Sequence, residues 1–169
     1  NQVFEYQSEN NNIGRSATTT NILNADLRVT VVAVPDTTNS GTSFSVQWTV
    51  KNDGAGSLLN INRTDKIYLA QTQVLNVSTA TLLGQLAYGG SLLSGQVVSK
   101  QTNVSLPNGI SGNYYVRVLT DANQNIYEAA LENNNSGLDS TYIRLSPWPD
   151  LEVLPLPSLP DTLLAGQSL

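Results

Sequence analysis

Residues 43–54 read S-F-S-V-Q-W-T-V-K-N-D-G, and this stretch decides the fold class. Apolar side chains stand at every second position, namely Phe44, Val46, Trp48 and Val50. Such an alternation with a period of two residues is typical of a β-strand with one buried face. The Asp53-Gly54 pair that follows is a tight-turn signal. The stretch therefore predicts a strand that points Trp48 into a hydrophobic core.

Further strand patterns lie on both sides of this stretch, at residues 27–31, 67–69, 114–119 and 141–145, and residues 92–106 also have strand character. Turn signals built on Gly, Asn, Asp and Pro separate these runs, and no segment carries a convincing helical stripe. About seven short strands within roughly 120 residues are typical of an immunoglobulin-like sandwich. We therefore predict an all-β, immunoglobulin-like antiparallel β-sandwich, with a closed barrel as the alternative.

Part of the sequence occurs twice. Residues 3–12 read V-F-E-Y-Q-S-E-N-N-N, and residues 126–135 read I-Y-E-A-A-L-E-N-N-N. The pattern D-L-x-V also occurs twice, from Asp26 and from Asp150, and it opens a predicted strand at both places. The spacing of about 124 residues is too long for a solenoid repeat and suits a whole domain. The chain is thus predicted to be part of a tandem array of domains.

The spacing divides the chain into three parts. We predict the C-terminal part of a preceding repeat, one complete sandwich, and then a linker with the N-terminal part of a following repeat, at residues 1–25, 26–147 and 148–169. The head and tail fragments cannot complete one another, because the central part of a repeat is missing from both. The parent protein is therefore expected to be longer.

Five short motifs follow one another through the complete repeat. They are D-L-x-V from Asp26, G-T-S-F-S-V-Q-W-T-V-K-N-D-G from Gly41, D-K-I-Y-L from Asp65, L-P-N-G-I-S-G-N-Y-Y-V-R-V from Leu106 and I-Y-E-x-x-x-E-N-N from Ile126. In this order they resemble the CARDB family, a cell-adhesion-related domain found in bacteria. The resemblance implies an immunoglobulin-like sandwich in tandem arrays on secreted or surface-anchored bacterial proteins. It implies no particular ligand.

The composition excludes several classes of function. Charged residues make up 12% of the chain, and the net charge is −5. This balance disfavours nucleic acid and anionic membranes as partners. The absence of Cys and His rules out disulfides, thiolate metal sites and nucleophiles activated by histidine. No run approaches the ~20 apolar residues of a transmembrane helix.

Paired carboxylates are the remaining catalytic candidates. Glu128 and Glu132 lie on a predicted loop, and Asp150 and Glu152 open a predicted strand. Glycosidases use two carboxylates that face one substrate. The second pair is not repeated, because Arg28 takes the position of Glu152 in the complete repeat. We therefore predict that the chain is not an enzyme.

The loop after residue 120 has the composition of a calcium site. Several of its residues follow the spacing of an EF-hand, but Ile126 replaces the glycine that the turn requires, and the preceding segment is a predicted strand. A looser Ca²⁺ site remains, with hard oxygen ligands from Asp65, Asp121, Asn123, Glu128, Glu132 and Asn134. The alternative is that Asp and Asn make turn hydrogen bonds and that the glutamates are solvated.

The joints between repeats are short. Pro147 and Pro149 flank Trp148, and proline restricts backbone freedom, so these three residues are a predicted inter-domain site with the indole packed between neighbouring domains. The other junction, residues 23–25, reads L-N-A and lacks proline. The two joints are therefore expected to differ in stiffness.

Two functions remain at this point. The first is a structural or adhesive module of a long repetitive extracellular or cell-surface bacterial protein, a stalk or a filament. Its partners are neighbouring repeats and, through self-association, other copies. The alternative is a carbohydrate- or ligand-binding accessory module of a secreted hydrolase, with a stacking platform from Tyr68, Tyr88, Tyr115 or Trp148.

Overall fold

A computed structural model describes residue 14, residues 18–147 and residues 151–153 of the chain. The described residues form eight strands: β1 (Leu27–Ala33), β2 (Thr37–Asn39), β3 (Ser43–Asn52), β4 (Arg63–Ala70), β5 (Thr81–Tyr88), β6 (Val97–Ser105), β7 (Gly112–Leu119) and β8 (Ser136–Arg144). No helix occurs among them. The all-β prediction is confirmed.

The strands form two facing sheets. One sheet has the order β1-β3-β6, and the other has the order β2-β8-β7-β4-β5. The described pairs are antiparallel except that β2 runs parallel to β8, with Thr38 opposite Ile143. The antiparallel prediction is wrong for this pair. The chain passes from β1 to β2 through residues 34–36 without reversing, so β2 keeps the direction of β1.

The core lies between the two sheets. Trp48 is 1% exposed, and its neighbours Val46 and Val50 on the same face of β3 are fully buried. The opposite sheet contributes Ile67, Val116, Val118 and Ile143, each 0% exposed. Full burial of such side chains stabilises the fold by about 1.5–3 kcal/mol each. The prediction that β3 buries Trp48 is confirmed.

Two strands have no clear sequence signal. β5 reads T-L-L-G-Q-L-A-Y, and its alternation breaks at Gly84, opposite a register shift between Ile67 and Tyr68 in β4. β2 has three residues, which is too short for a periodic pattern. The strand expected within residues 92–106 is β6, which begins after a turn at Gly95 with a φ of 76°.

The chain enters and leaves the sandwich at opposite ends. Leu27 at the start of β1 pairs with Asn52 at the end of β3. After β8 the chain is held near the start of β3, where Ser146 N donates to Ser40 Oγ at 3.0 Å and Ser40 N donates to Arg144 O at 2.8 Å. At about 3.3 Å per residue, the 10-residue β3 separates the two ends by roughly 30 Å.

The flanking segments fall mostly outside the described residues. The first copy of the E-N-N-N motif and Asp150 both lie outside them. Residues 151–153, where a strand is predicted, form no strand and are exposed. A strand needs a partner, and the sequence contains no second copy of β3 to provide one. The tandem arrangement and the domain bounds stay predictions.

Candidate functional site

The loop between β7 and β8, residues 120–135, folds back against the start of β1. Asp121 shapes its first turn with a φ of 44°, and it accepts hydrogen bonds from Asn125 N at 3.1 Å and Ile126 N at 2.9 Å. This turn inserts Ile126, which is 4% exposed, into the core. Burial raises the pKa of Asp121, and the two backbone hydrogen bonds oppose that shift.

Glu128 is the central residue of this loop. Its side chain is 0% exposed, and Oε2 accepts a hydrogen bond from Leu27 N at 3.0 Å. Its own backbone N–H donates to Glu132 Oε1 at 3.0 Å. Glu128 Oε1 has no hydrogen-bond partner among the described residues. Burial, reinforced by the charges of Glu132, Asp26 and Asp121, raises the pKa of Glu128 to about 7.

Two asparagines complete the contact with β1. Asn134 Nδ2 donates to Asp26 Oδ1 at 2.8 Å. Asn135 is 4% exposed, and its amide, oriented to satisfy its neighbours, donates to Leu27 O and to Glu128 Oε2. We call the set Glu128, Glu132, Asn134 and Asn135 the β1 latch. The latch explains why D-L-x-V and E-x-x-x-E-N-N-N recur together in the sequence, because the two motifs bind each other within one domain.

A second buried polar network joins the two sheets. Asp65 on β4 is 0% exposed and accepts hydrogen bonds from Trp48 Nε1 at 2.6 Å, Tyr88 OH at 2.7 Å and Thr120 Oγ1 at 2.8 Å. The Arg63 guanidinium and the Lys100 ammonium lie over the Tyr88 ring, 4.6 Å and 4.4 Å from its centroid. Burial raises the pKa of the Tyr88 hydroxyl, so Tyr88 donates to Asp65 as a neutral phenol.

The six predicted calcium ligands do not form one centre. Asp65 belongs to the inter-sheet network, Asn123 is exposed, and the remaining four make the turn and latch contacts, namely Asp121, Glu128, Glu132 and Asn134. No group of three or more carboxylates with metal-binding geometry occurs within the described part of the chain. Calcium takes 6–8 oxygen ligands. Among the buried oxygens of these candidate ligands, Glu128 Oε1 alone lacks a hydrogen-bond partner, so calcium would have to replace internal hydrogen bonds of its buried neighbours.

The alternative to a calcium site was that Asp and Asn make turn hydrogen bonds and that the glutamates are solvated. The first part describes Asp121, but the second part is wrong for Glu128. This side chain is fully buried instead of solvated, because the loop folds over it and Leu27 supplies a backbone donor. The sequence indicates a structural role for Glu128, because the same glutamate recurs in the first copy of the motif as Glu5. The pairing of Asp65 with Trp48 has no such signal, since the two residues meet only through the packing of β4 on β3.

The structure describes the junction at residues 23–25 fully and the Pro-Trp-Pro joint only at its first residue. Pro147 is exposed, and Trp148 and Pro149 lie outside the described residues. At the other junction, Gly56 N donates to Asn24 O at 2.8 Å, and Asp53 N donates to Asp26 O at 2.7 Å. A Cβ atom on Gly56 would come within 2.7 Å of the Asn24 carbonyl carbon. The glycines of the G-A-G turn at residues 54–56 therefore allow the backbone of the chain entering β1 to pack directly against the turn.

The three described aromatic residues that were proposed as a stacking platform do not share a surface. Tyr68 is 9% exposed, Tyr88 is partly buried in the Asp65 network, and Trp148 lies outside the described residues. Tyr115 stands apart from these, half-buried on β7. Its neighbour on the adjacent strand is Tyr142, 47% exposed, which the sequence pattern did not single out.

Comparison with known protein families identifies the family of the chain. The CARDB family model matches residues 24–137, more than half of the chain. The chain belongs to the CARDB family. CARDB domains are a cell-adhesion-related, non-catalytic family, in agreement with the prediction that the chain is not an enzyme. The match begins at Asn24, the residue that receives the hydrogen bond from Gly56.

Solved structures agree on the fold of this CARDB domain. The crystal structure of a CARDB domain from Pyrococcus furiosus, in complex with di-metal ions, is 20% identical and superposes with a TM-score of 0.53, covering 75% of this chain and 100% of that chain. The solution structure of the same domain has a TM-score of 0.53 at 18% identity, with coverage of 74% and 100%. At this identity the likeness shows the fold alone.

Weaker similarities carry no argument about activity. A β-glucosidase from Listeria innocua in complex with glucose has a TM-score of 0.42 and 14% identity, covering 72% of this chain but 16% of that chain. No curated protein is significantly similar to the chain. Among the described residues, no helix is long and apolar enough to cross a membrane.

Proposed function

We propose that this CARDB domain is a spacing and adhesive module within a long, repetitive, extracellular bacterial protein. The observation that carries the proposal is the placement of the two chain ends at opposite ends of the sandwich, roughly 30 Å apart along β3. A domain with this placement can be joined head to tail with further copies, and every copy then adds its full length to the array.

Both ends of the domain are fixed to its body. At the entering end, the β1 latch holds Leu27 and the turn at Gly56 holds Asn24. At the leaving end, Ser146 donates through its N–H and its hydroxyl to Ser40, at 3.0 Å and 2.7 Å. Freedom between neighbours is thus confined to a few linker residues. A module built this way suits a stalk, because each domain restricts the orientation of the next one.

The sequence repeats supply the partners in this proposal. The further copies of the D-L-x-V and E-N-N-N motifs support the proposal of neighbouring immunoglobulin-like repeats on both sides, with the following repeat joined through Pro147, Trp148 and Pro149. Lateral self-association into filaments would use weakly charged sheet edges such as β5, which carries no charged residue.

The hydrolase alternative has little support beside this one. The carboxylate pair that recurs in the sequence, Glu128 and Glu132, makes internal hydrogen bonds in the β1 latch, and Asp150 and Glu152 are not repeated as a pair. Calcium binding is not part of this proposal. The di-metal ions belong to the Pyrococcus furiosus domain, and five of the six candidate ligands of this chain are engaged in internal hydrogen bonds, with Asn123 exposed.

Small-angle scattering of three fused copies of residues 26–149 tests the proposal. We expect an extended particle with a maximum dimension of about 100 Å or more, from roughly 33 Å per domain along β3. Replacing Pro147 and Pro149 by Gly should broaden the distribution of shapes, since glycine linkers are flexible. A compact globular particle with the natural linkers would contradict the spacing function.

A further inference from the structure

The outer face of the five-stranded sheet carries a groove of about 520 Å³ that no part of the proposed function uses. Tyr115 and Tyr142 line it together with Asn113 and Ser140. The groove lies beside β2, on the face that points away from the core. A volume of this size falls within the usual range of small-molecule sites, about 300–1,000 Å³.

Strand register brings the two tyrosines together. Asn113 pairs with Tyr142, and Tyr115 pairs with Ser140, so the two rings occupy diagonal positions on one face of the β7–β8 ladder. Diagonal neighbours on an antiparallel pair are within reach of aromatic side chains. Because strands fix both backbones, the two rings form a preorganised aromatic surface that a ligand need not order on binding.

Polar groups stand at the rim of this surface. Gln73 Nε2 donates to the Tyr115 hydroxyl at 3.4 Å, and the Arg117 guanidinium donates to the Gln73 carbonyl, which fixes the loop after β4 beside the groove. On the other side, Asp36 O accepts a hydrogen bond from Tyr142 N at 2.8 Å, and Asp36 is exposed. The rim thus offers amides, hydroxyls and one carboxylate.

This combination selects the chemical class of the ligand. A purely apolar partner would leave the rim amides and the Asp36 carboxylate desolvated without hydrogen bonds, which weakens binding. An anionic partner would meet the carboxylate of Asp36 in a chain of net charge −5. A neutral sugar ring fits both features, because its C–H faces stack on aromatic rings while its hydroxyls reach amides and a carboxylate.

We propose that the Tyr115–Tyr142 groove binds a neutral saccharide, with the rings stacked on the sugar and with Asn113, Ser140, Gln73 and Asp36 bonding its hydroxyls. The site needs one domain and no neighbouring repeat, so it stands independently of the spacing function. It would give an otherwise structural module a glycan ligand.

The test is a chemical-shift titration of the isotope-labelled chain with three probes: cellobiose, maltose and N,N′-diacetylchitobiose, each to about 10 mM, a range suited to weak sites. We expect at least one probe to shift the amides of Asn113, Tyr115 and Tyr142. Tyr142→Ala should weaken binding at least tenfold, whereas Tyr142→Phe should retain it within about threefold because the ring stays.

Tyr127→Ala is the matched control, since Tyr127 is a 78% exposed tyrosine at the other end of the sandwich. It should leave the titration unchanged, and a melting curve of Tyr142→Ala should confirm that this variant is folded. The proposal is overturned if none of the three probes shifts the groove amides. It is equally overturned if folded Tyr142→Ala binds as tightly as the natural chain.

Discussion

Glu128 Oε2 accepts a hydrogen bond from Leu27 N at 3.0 Å, although 101 positions separate the two residues in the chain. The bond closes the domain, because it ties the last long loop to the first residue of the first strand. Burial of Glu128 at 0% exposure makes this contact dry. Removing one partner of a dry hydrogen bond leaves the other unsatisfied, so the contact is costly to break.

We first predict that Glu128→Ala destabilises the domain by about 2–4 kcal/mol. The Leu27 N–H loses its acceptor, at about 1–3 kcal/mol, and a buried side chain is deleted. Glu128→Gln keeps an acceptor oxygen and should cost much less. Urea unfolding measures both, with the exposed Glu152→Ala as the control. A Glu128→Ala variant as stable as Glu152→Ala would show that the latch contributes nothing.

Stability should also fall as the pH rises from about 4.5 to about 7. The folded Glu128 carboxyl keeps its proton through this range, because burial raises its pKa to about 7, whereas the unfolded carboxyl titrates near 4.5. The folded state thus binds more protons, and the free energy of unfolding decreases with pH. Burial raises the pKa of Asp121 too and adds to the same slope.

Asp53 acts in the opposite sense, since hydrogen bonds from Lys51 and Arg28 lower its pKa, and its contribution is lost only as the pH falls below about 3.8. Unfolding free energies measured at pH 4.5, 5.5, 6.5 and 7.5 should therefore decline, and Glu128→Gln should flatten the decline. An equal slope in that variant would assign the pH dependence to other groups.

The third prediction concerns the bond between Trp48 and Asp65. Trp48→Ala should cost about 3–5 kcal/mol, as large aromatic deletions in cores do. Trp48→Phe keeps most of the apolar volume but removes the Nε1–H that donates to Asp65 at 2.6 Å. It should cost less than Trp48→Ala but clearly more than zero, about 1–3 kcal/mol. Denaturant unfolding midpoints measure the stability of both variants. If Trp48→Phe is as stable as the natural domain, the hydrogen bonds from Tyr88 and Thr120 are enough to satisfy the buried Asp65 carboxylate.

Calcium gives a fourth prediction. Because the oxygens of Asp121 and Glu132 accept internal hydrogen bonds, millimolar Ca²⁺ should leave the melting temperature unchanged. Binding to the folded state alone would raise it. Thermal melts with and without Ca²⁺ test this. If the melting temperature rises, and Glu132→Gln abolishes the rise, the loop is a calcium site after all.

The fifth prediction concerns the incoming chain. Gly56→Val should displace Asn24 from the turn, because a Cβ atom at Gly56 would come within 2.7 Å of the Asn24 carbonyl carbon. The amides of Ala25 and Leu27 should then exchange hydrogen faster, while the amides of β7 stay protected. Ala55→Val, at the adjacent exposed position, is the control. Unchanged exchange at Leu27 in Gly56→Val would indicate that the latch alone holds β1.

The prediction of the site from sequence was partial. Repetition of Glu128, Glu132 and the Asn run marked them as part of the module's construction. It did not distinguish a metal loop from a latch, because both uses need the same oxygen-bearing side chains. The distinction depends on which donors face those oxygens, and the decisive donor, the N–H of Leu27, lies 101 positions away.

The sequence by itself determined the all-β class, the burial of Trp48 and the CARDB family, because period-two alternation and ordered motifs are local properties that any window of the chain displays. Only the tertiary structure decided the parallel β2–β8 pair, the burial of Glu128 and the shared groove of Tyr115 and Tyr142. Each of these depends on which strands become neighbours. That choice follows from packing the whole chain, so no local pattern can encode it.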